Sequence, residues 1–578
     1  MLSLGQMNAR VLRRYWWVGI LTVVSVFLLT WRLGNIPRGF DGDEAALGYY
    51  GYSLLHYGSD EYGNKWPMYF KSIGDYKYPV YSYLSMIPVA IGGLSVITTR
   101  LVSVASGLVM LAVMGKWLWS RNQKSRMAVT LAVLTAWGSG WWLMFSRGAY
   151  EANLAMALVS IYIYLSTQEK RDKVWWVGII TLLVLSSLSY SAARIVTLAW
   201  SGWWLLVGEQ KMRTLIVLTG AVLLIGALSL DPNSRARAEG LVITRDAAMW
   251  TEGQNQIWEV GAAIPGRVGW LLARAFDNKY LILGRGIATR YLQHFDLSYL
   301  FVSGNPRLNE YTIPFAGMLP VAAIPLLLLG VAATVKRWRE PWIRATAGWI
   351  LVAPVAAAMT VETPNPVRTI FMLPPMLVLV GLGATQLIGN RAQAPGISLI
   401  MGLLLLLNAT YVWKQYFIHR EQHQPWFTEQ GLPEMVRYVI VNQHNYDQIV
   451  MGNTPYIYYL FYGAGKPEWH FSQLKYDPGV IWNSVDSIGK VVFRMNAGCP
   501  KLGKMGVLYI CKGFEIPING IVKSVSYHND GVPAYAAVEF VPLSSVKKRP
   551  GLPGRFEYMV ESDPKVDGLL PAGDSRLW

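Results

Sequence analysis

The sequence predicts a polytopic α-helical membrane protein with a small C-terminal α/β domain, and three observations support this fold class. The chain has 578 residues, of which 53% are hydrophobic, and its mean hydropathy is +0.28. Apolar runs that approach the roughly 20 residues a helix needs to cross a bilayer recur up to residue 413. After residue 414 these runs stop, and shorter alternating patterns replace them.

The apolar runs predict about eleven transmembrane helices. Segment 79–93 is short and contains Pro88, so we expect it to lie at the membrane edge without crossing. The predicted crossings are 15–33, 96–117, 127–145, 152–167, 174–190, 195–208, 214–230, 313–335, 342–360, 368–388 and 396–413.

The basic residues orient these crossings, because Lys and Arg collect in cytoplasmic loops. With the N-terminus in the cytoplasm, each short outside loop carries one arginine, namely Arg147, Arg194 or Arg368. The inside loops hold Lys116, Arg121, Lys124, Arg126, Lys170, Arg171, Lys173, Lys211, Arg213, Lys336, Arg337, Arg339, Arg344 and Arg391. We therefore expect a plasma (inner) membrane protein with a cytoplasmic N-terminus and an extracytoplasmic C-terminal domain.

The composition divides the chain into three parts. Residues 1–413 form a transmembrane domain with external loops 34–95 and 231–312. The second loop is either a cap over the helices or a substrate-contacting element. Residues 414–545 read as a soluble α/β domain, with a helix at EMVRYVIVNQH and strands at YDQIVMGN, KVVFRMN, GVLYIC, IVKSVSYHN and YAAVEFVPL. The tail 546–578 is predicted to be loosely ordered.

The segment from Arg38 to Pro79 carries the most unusual pattern. It begins with three acids in four residues, Asp41, Asp43 and Glu44, directly after the first apolar run. Acids beside a bilayer are costly unless they face water, a cation or a substrate. Lys77 follows near the end of the segment, which indicates an anionic group nearby. The structural alternative is that Asp43 only caps a helix starting at Glu44.

An acidic pair opening the first external loop, followed by a Lys-x-Pro segment, resembles two families of membrane enzymes. These are the protein O-mannosyltransferases and the lipid A aminoarabinose transferases, both members of the GT-C superfamily of glycosyltransferases. The resemblance covers most of residues 15–430. It implies a GT-C type fold and a sugar on a polyprenyl phosphate as donor.

The resemblance also implies functions for individual residues of the first loop. Asp43-Glu44 resembles the acidic pair in which the first acid is catalytic. DYKYP resembles the Lys-Pro-Pro segment, with Tyr78 in place of the first Pro, and this places Lys77 near the donor phosphate.

Three later segments resemble the family in the same way. TTRLVSVASG makes Arg100 a candidate for site architecture, and FSRGAYEANL, with Arg147, places Glu151 near the acceptor or the sugar. PNPVRTIFMLPPMLVLVGLG places Arg368 near the phosphate. For Arg100, Arg147 and Arg194, the alternative is that each side chain only reaches toward the membrane interface.

Transfer from a polyprenyl-phosphate sugar needs few groups. A carboxylate within hydrogen-bond reach takes the proton of the acceptor hydroxyl, and we predict Asp43 for this, with Glu44 as its catalytic partner and Asp41 in support. The leaving phosphate requires Lys or Arg, for which Lys77 and Arg368 are the candidates.

No cofactor is predicted to be obligatory, although Asp41, Asp43 and Glu44 offer oxygen ligands for Mg²⁺ or Mn²⁺. A metal site at His419, His423 and Gln424 is less favoured than a polar connector. The expected partners are the donor, membrane lipids, and an acceptor that is a protein, a lipid or a glycan. Topology explains the net charge of +17, so no nucleic-acid partner is expected.

The two cysteines, Cys499 and Cys511, bracket a turn and the strand GVLYIC in the domain placed outside the cell. An oxidising compartment permits a disulfide between them. The alternative is a pair of buried thiols.

The sequence thus predicts an inverting membrane glycosyltransferase whose active site faces outward. Two alternatives remain at this stage. A polytopic transporter or lipid-carrier flippase would place charges on broken helices near the membrane midplane, whereas here the acids cluster in an external loop. A polysaccharide polymerase is the enzymatic alternative.

Overall fold

The computed structural model describes residues 4–541, apart from 38, 123–124, 169–171, 240–241, 306, 308, 389–393, 421, 424–428, 453, 465–473, 478–484, 495–497 and 513–518. The predicted tail 546–578 lies outside the described residues, as do Gln424 and four residues of the basic loops, Lys124, Lys170, Arg171 and Arg391.

The described residues before the C-terminal sheet are almost entirely helical. The helices are α1 Leu4–Thr30, α2 Gly42–Tyr57, α3 Pro79–Gly92, α4 Val96–Arg121, α5 Arg126–Trp137, α6 Gly140–Arg147, α7 Glu151–Ser166, α8 Lys173–Ser187, α9 Ser191–Val207, α10 Lys211–Leu230, α11 Pro232–Glu239, α12 Ala247–Ala263, α13 Arg267–Phe276, α14 Lys279–Gln293, α15 Leu297–Phe301, α16 Ile324–Lys336, α17 Pro341–Val352, α18 Val355–Ala358, α19 Leu373–Ile388 and α20 Ala394–Lys414.

Each predicted crossing overlaps one or two of these helices. By length and apolar composition, four described helical stretches are able to span a membrane on their own: Val96–Arg121, Lys211–Leu230, Ile370–Leu387 and Gly396–His419. Helices α5 and α6 make a fifth if the pair, bent by 64°, counts as one span. Other apolar stretches of the described residues are shorter, including Tyr15–Thr30 within α1, so the total of eleven crossings stays a prediction.

The helices pack most closely where α16 meets α19. A Cβ atom on Gly330 would lie 2.1 Å from the Leu379 backbone oxygen, and one on Gly383 would lie 1.8 Å from the Leu326 oxygen. Only glycine fits at either position, because no side-chain atom approaches a backbone oxygen so closely. Small residues at helix crossings are typical of membrane proteins, where close backbone approach favours association.

The first external loop is built from α2, a two-stranded antiparallel ribbon and α3. The strands are β1 Phe70–Lys71 and β2 Tyr76–Lys77, and Phe70 pairs with Lys77. Helix α2 is buried along most of its length, including Tyr50, because it packs against α3 on one side and the C-terminal region on the other. The ribbon therefore ends at Lys77, two residues before Pro79, the first residue of α3.

The C-terminal region folds around a seven-stranded mixed sheet in the order β4-β5-β6-β3-β7-β9-β8. The strands are β3 Gln448–Gly452, β4 Leu474–Tyr476, β5 Val485–Ile488, β6 Val491–Arg494, β7 Val507–Lys512, β8 Gly520–Tyr527 and β9 Pro533–Phe540. Helices α21 Leu432–Asn442 and α22 Tyr456–Gly463 accompany it. The helix and the five strands predicted here are confirmed, and α22, β4 and β5 were not predicted.

The sheet region is attached to the first external loop through α22. The Tyr458 hydroxyl donates to the Phe40 backbone oxygen at 2.6 Å, and the Tyr456 hydroxyl donates to Glu61 at 2.9 Å. A disulfide joins Cys499 to Cys511, with 5.0 Å between the Cα atoms. The bridge fixes the turn before β7 to that strand.

The second external loop consists of helices α11 to α15, and it is tied to the segment after α18. The Ile243 amide donates to the Met359 oxygen at 2.9 Å, and the Asn365 amide donates to the His294 ring at 3.3 Å. The Tyr299 hydroxyl lies 2.7 Å from that of Thr369. Segment 359–369 is therefore held by this loop over much of its length.

Candidate active site

The N-terminus of α2 is not built as the structural alternative predicts, with Asp43 as the cap of a helix that starts at Glu44. The helix begins at Gly42, and its N-cap is Asp41, which accepts from the Asp43 amide at 3.3 Å. The prediction of a helix that starts at Glu44 with Asp43 as its cap is wrong. The reason is that the carboxylate two residues earlier already takes the capping position. Asp43 lies in the first turn, and its side chain is free for other contacts.

Asp43 contacts Lys77 on the neighbouring ribbon. The Lys77 Nζ lies 2.8 Å from Asp43 Oδ1 and 3.0 Å from Asp75 Oδ1, and the Lys77 side chain is only 4% exposed. Asp43, by contrast, is 50% exposed. One buried ammonium is thus held between two carboxylates, one of which remains open to a ligand.

Glu44 is directed away from Asp43 and into the protein. Both of its oxygens accept from the Arg100 guanidinium, at 2.9 and 2.8 Å, and Oε1 also accepts from the Ala149 amide at 2.6 Å. Both side chains are buried. Both Glu44 oxygens are therefore already occupied by hydrogen-bond donors. This arrangement indicates that Glu44 positions Arg100 and the backbone at Ala149.

Arg100 and Arg147 both bind the chain that connects α1 to α2. Arg100 donates to the backbone oxygens of three residues, Leu33, Pro37 and Gly39. Arg147 donates to those of Leu28, Trp31 and Ile36 at 2.6 to 2.9 Å. Neither side chain has measurable exposure, so an interfacial position is wrong for both.

A cavity of about 290 Å³ brings most of the predicted site residues together. Asp41, Asp43, Lys77, Glu151 and Arg368 all line it. Its other polar lining comprises Asp75, Tyr150, Tyr190, Ser191, Glu310, Tyr311, Glu362 and Asn365. Glu44 and Arg100 line a neighbouring cavity of about 30 Å³, and Arg147 lines neither.

Glu151 supports the end of the β1–β2 ribbon that carries Lys77. Its Oε1 accepts from the Tyr78 amide at 2.9 Å, and Arg194 stacks on the Tyr78 ring with 4.8 Å between the guanidinium carbon and the ring centre. Arg194 is 6% exposed and also donates to Ser234 at 2.7 Å, so an interfacial position is wrong for it too. Tyr78, next to Lys77 in the chain, is thereby held from two sides.

Arg368 also lines the cavity, although it lies far from Asp43 and Lys77 in the sequence. It lies 3.5 Å from Glu362 Oε2, and its amide donates to Asn365 Oδ1 at 3.0 Å. Its side chain is 13% exposed, whereas that of Glu362 is 54% exposed. As with Lys77, a mostly buried cation is paired with a more open carboxylate.

The carboxyls of this cavity influence one another. Reduced solvation and the negative charges of Asp43 and Glu44 raise the pKa of Asp41, even though this residue is exposed at the cavity. Burial also raises the pKa of Glu310, and the charges of Glu362 and Asp43 add to this effect. Both carboxyls therefore retain a proton more readily than exposed acids do.

Within the described part of the chain, no group of three or more His, Cys, Asp or Glu side chains is arranged to hold a metal ion. Glu44, one of the three possible ligands predicted from the sequence, has both oxygens bound to Arg100. The metal site considered at His419 and His423 includes Gln424, which lies outside the described residues.

Several cavity residues were missed from the sequence. Asp75 lies two residues before Lys77, so its place in the predicted segment was a usable signal. Tyr150, Glu310 and Tyr311 come from two other segments and meet Asp41 only in the fold. Glu310 and Tyr311 stand directly before an apolar run, which was the one available indication that they lie near the membrane surface.

No protein-family model matches the chain, and no curated protein matches it either. Among solved structures, ArnT from Cupriavidus metallidurans in the apo state is similar, with a TM-score of 0.51 and 12% identity over 91% of this chain and 98% of ArnT. ArnT bound to undecaprenyl phosphate gives a TM-score of 0.51 and 11% identity over 93% of this chain and 100% of ArnT.

The archaeal oligosaccharyltransferase AglB from Archaeoglobus fulgidus, in complex with an inhibitory peptide and a dolichol-phosphate, has a TM-score of 0.41 and 13% identity over 78% of this chain and 64% of AglB. The resemblance to the lipid A aminoarabinose transferases noted from the sequence is confirmed by the two ArnT structures at the level of the fold. The chain thus has the fold of ArnT.

Proposed function

We propose that the protein transfers a monosaccharide from a polyprenyl-phosphate donor to an acceptor hydroxyl at the external side of the membrane, with inversion at the anomeric carbon. The observation that carries this proposal is the Asp43–Lys77 pair, 2.8 Å apart, at the wall of a cavity that also contains Arg368. The fold shared with a structure bound to undecaprenyl phosphate supports the class of donor.

Lys77 and Arg368 are the proposed phosphate ligands. In the free protein, acids neutralise both cations, Lys77 through Asp43 and Asp75, and Arg368 through Glu362. A phosphate that binds Lys77 competes with Asp43 for the ammonium group. Donor binding would therefore release the Asp43 carboxylate next to the bound sugar, where a base is needed.

The reaction then follows from these positions. The acceptor oxygen attacks the anomeric carbon while the bond from that carbon to the phosphate oxygen breaks. The electron pair of this bond leaves with the polyprenyl phosphate, and Lys77 and Arg368 stabilise the additional negative charge. Asp43 accepts the hydroxyl proton of the acceptor. Because attack and departure occur on opposite faces, the configuration inverts.

The lipid tail has a suitable path beside the cavity. An apolar groove of about 520 Å³ lies between α3, α4 and α7, and its lining includes Val102 and Leu154. These two residues belong to the same buried cluster as Leu47 and Ala149, which line the polar cavity. The groove and the polar cavity are thus lined by members of one buried cluster, and we assign the polyprenyl tail to this groove.

The remaining lining suits a sugar and a hydroxylated acceptor. Tyr150 and Tyr311 offer aromatic faces, and Glu151 offers a carboxylate at the base of the cavity. The acceptor is a protein, a lipid or a glycan, and we propose no obligatory metal because Lys77 and Arg368 supply the positive charge.

The test uses the purified full chain in nanodiscs with polyprenyl phosphates that carry radiolabelled sugars, including mannose and aminoarabinose, and a membrane extract as acceptor. We expect label to move from the lipid to an acceptor. Lys77→Ala should weaken donor binding by roughly 10- to 100-fold, since it removes a charged hydrogen-bond donor. The matched control is Lys71→Ala, which alters the neighbouring strand of the same ribbon.

Three results would contradict the proposal. Movement of intact labelled lipid between leaflets without sugar transfer would indicate a flippase. Growth of a repeating glycan on the lipid would indicate a polymerase. Equal donor binding by the Lys77 and Lys71 variants would remove the proposed phosphate site.

A further inference from the structure

Helix α13 in the second external loop presents an apolar stripe to the exterior. Val268, Leu272 and Phe276 follow at intervals of four residues and therefore share one face. Val268 is 61% exposed and Phe276 is 65% exposed. Arg267 and Arg274 lie on the other side of the helix. Such a division between apolar and basic faces is typical of helices that lie in a membrane interface.

Helix α14 also exposes apolar and basic side chains, but there they share a face. Tyr280 is 74% exposed, Leu281 43% and Leu292 66%, and Leu281 and Leu292 share a face with Arg285. Tyr and Trp next to cations are characteristic of the headgroup level of membranes. Here the Lys279 ammonium lies 5.1 Å from the centre of the Tyr280 ring. In α13, the Arg274 guanidinium lies 5.0 Å from the Trp270 ring centre.

The position of α14 is fixed near one end of the membrane helices. Its Tyr291 hydroxyl donates to the backbone oxygen of Leu351, in the last turn of α17, at 2.8 Å. Its last residue, Gln293, accepts from the Thr363 hydroxyl at 2.7 Å. The predicted crossing 342–360 ends shortly before Thr363, so the C-terminal end of α14 lies near the level at which that crossing ends.

The charges distinguish α13 and α14 from their neighbour α12. The two helices carry five basic residues, Arg267, Arg274, Lys279, Arg285 and Arg290, while the turn between them contributes one acid, Asp277. Asp277 pairs with Arg285 at 3.0 Å, and Arg290, which is mostly buried, pairs with Asp246. One face of α12 instead exposes Glu252, Asn255 and Glu259, although Trp258 of the same helix is also exposed. A negatively charged surface therefore complements α13 and α14 through Arg267, Arg274 and Lys279, and the face of α12 that carries Asn255 suits water.

We propose that α13 and α14 rest in the headgroup layer of the protein's own membrane, with Phe276 and its apolar neighbours among the lipids and with Arg267, Arg274 and Lys279 bound to anionic phospholipid headgroups. This position in the membrane would also hold segment 359–369, which carries Arg368, because the loop that contains α13 and α14 is hydrogen-bonded to that segment.

The test places a nitroxide on the full chain in nanodiscs, at Phe276→Cys or, as the matched control, at Asn255→Cys on α12. Both positions are exposed, so neither substitution opens the core. Labelling without reductant leaves the Cys499–Cys511 disulfide intact. The spectra give the accessibility of each label to oxygen, which concentrates in lipid, and to a water-soluble nickel chelate.

In nanodiscs that contain phosphatidylglycerol, we expect the label at 276 to be reached by oxygen and protected from the chelate, with the reverse at 255. Nanodiscs of phosphatidylcholine alone, or the double variant Arg267→Gln/Arg274→Gln, should shift the label at 276 toward water. Equal chelate access at 276 and 255 would overturn the proposal, and so would a label at 276 that ignores lipid charge. Protection of position 276 that appears only on adding a second protein would also overturn it.

Discussion

Lys77 Nζ lies 2.8 Å from Asp43 Oδ1, although Lys77 is almost completely buried and half of the Asp43 side chain is exposed. The pair connects an ammonium group held inside the protein to a carboxylate at the cavity surface. A ligand that reaches one of these groups must also meet the other.

Asp43→Asn should reduce sugar transfer by roughly 10²–10⁴-fold, because the amide cannot accept the proton of the acceptor hydroxyl. The variant should still bind the donor. Asp75 lies 3.0 Å from Lys77 and should keep this proposed phosphate ligand in place. Single-turnover transfer and equilibrium donor binding separate the two effects. Folding should change little, because Asp41 is the residue that caps α2. Near-normal transfer by the variant would exclude Asp43 as the base.

Glu44→Gln should act on stability, unlike the change at Asp43. It removes one partner of a buried ion pair with Arg100, and the loss is expected to be about 3–5 kcal/mol of unfolding free energy. A matched control is Glu340→Gln, whose ion pair with Arg337 is partly exposed and should contribute about 1 kcal/mol or less. Melting temperatures in detergent provide the comparison. Equal shifts for the two variants would disprove the positioning function of Glu44.

Glu61 should make the attachment of the sheet region sensitive to pH. Burial, together with the charge of Asp60, raises the pKa of Glu61 from its ordinary value of 4.5 to about 8. Between these values the folded protein keeps a proton that the unfolded chain releases. Stability should therefore fall as the pH rises through this window. Melting temperatures measured across this pH range should flatten for Glu61→Gln, and parallel curves for the variant and the native protein would contradict the prediction.

Transfer should continue without divalent metal ions, because Lys77 and Arg368 provide the positive charge for the phosphate. Treatment with EDTA should leave the rate unchanged, and added Mn²⁺ should not raise it. A control with EDTA already saturated with Mg²⁺ distinguishes chelation from a direct effect of EDTA. Loss of transfer with recovery on adding Mn²⁺ would show that a metal is required.

The predicted topology places Arg213 in the cytoplasm and Tyr416 outside. Reporter fusions after these two residues should therefore be active in opposite compartments. A fusion after Arg121 serves as an additional cytoplasmic control. The same location for the fusions after Arg213 and Tyr416 would invalidate the orientation.

The sequence was most informative where function depends on a local pattern. The apolar runs predicted the positions of the apolar helices, and the alternating runs predicted most of the C-terminal strands. The order of short motifs placed Asp43, Lys77 and Arg368 at one cavity. The contribution of Glu310 was not predictable in this way, because it depends on how a distant loop packs.

The sequence was least informative about which acid does what. Asp41, Asp43 and Glu44 are neighbours with similar chemistry, and their tasks differ only through the direction of each side chain in the helix turn. Asp41 caps α2, Asp43 faces Lys77, and Glu44 faces Arg100. The arginine partner lies on α4, so the buried position of Glu44 becomes evident only when the two helices are packed together.

Arg100 and Arg147 donate hydrogen bonds to main-chain oxygens of the last turn of α1 and of the segment between α1 and α2, and the Arg100 guanidinium also lies 5.6 Å from the centre of the Phe40 ring. Every amino acid supplies such an oxygen, so these hydrogen bonds do not depend on which side chains the segment carries. Apart from Phe40, related chains can therefore diverge along this connection while they keep the acids after it in the same place, provided that the two guanidinium groups remain. In an alignment, the constraint on this segment would appear at Phe40 and at two positions that lie outside it.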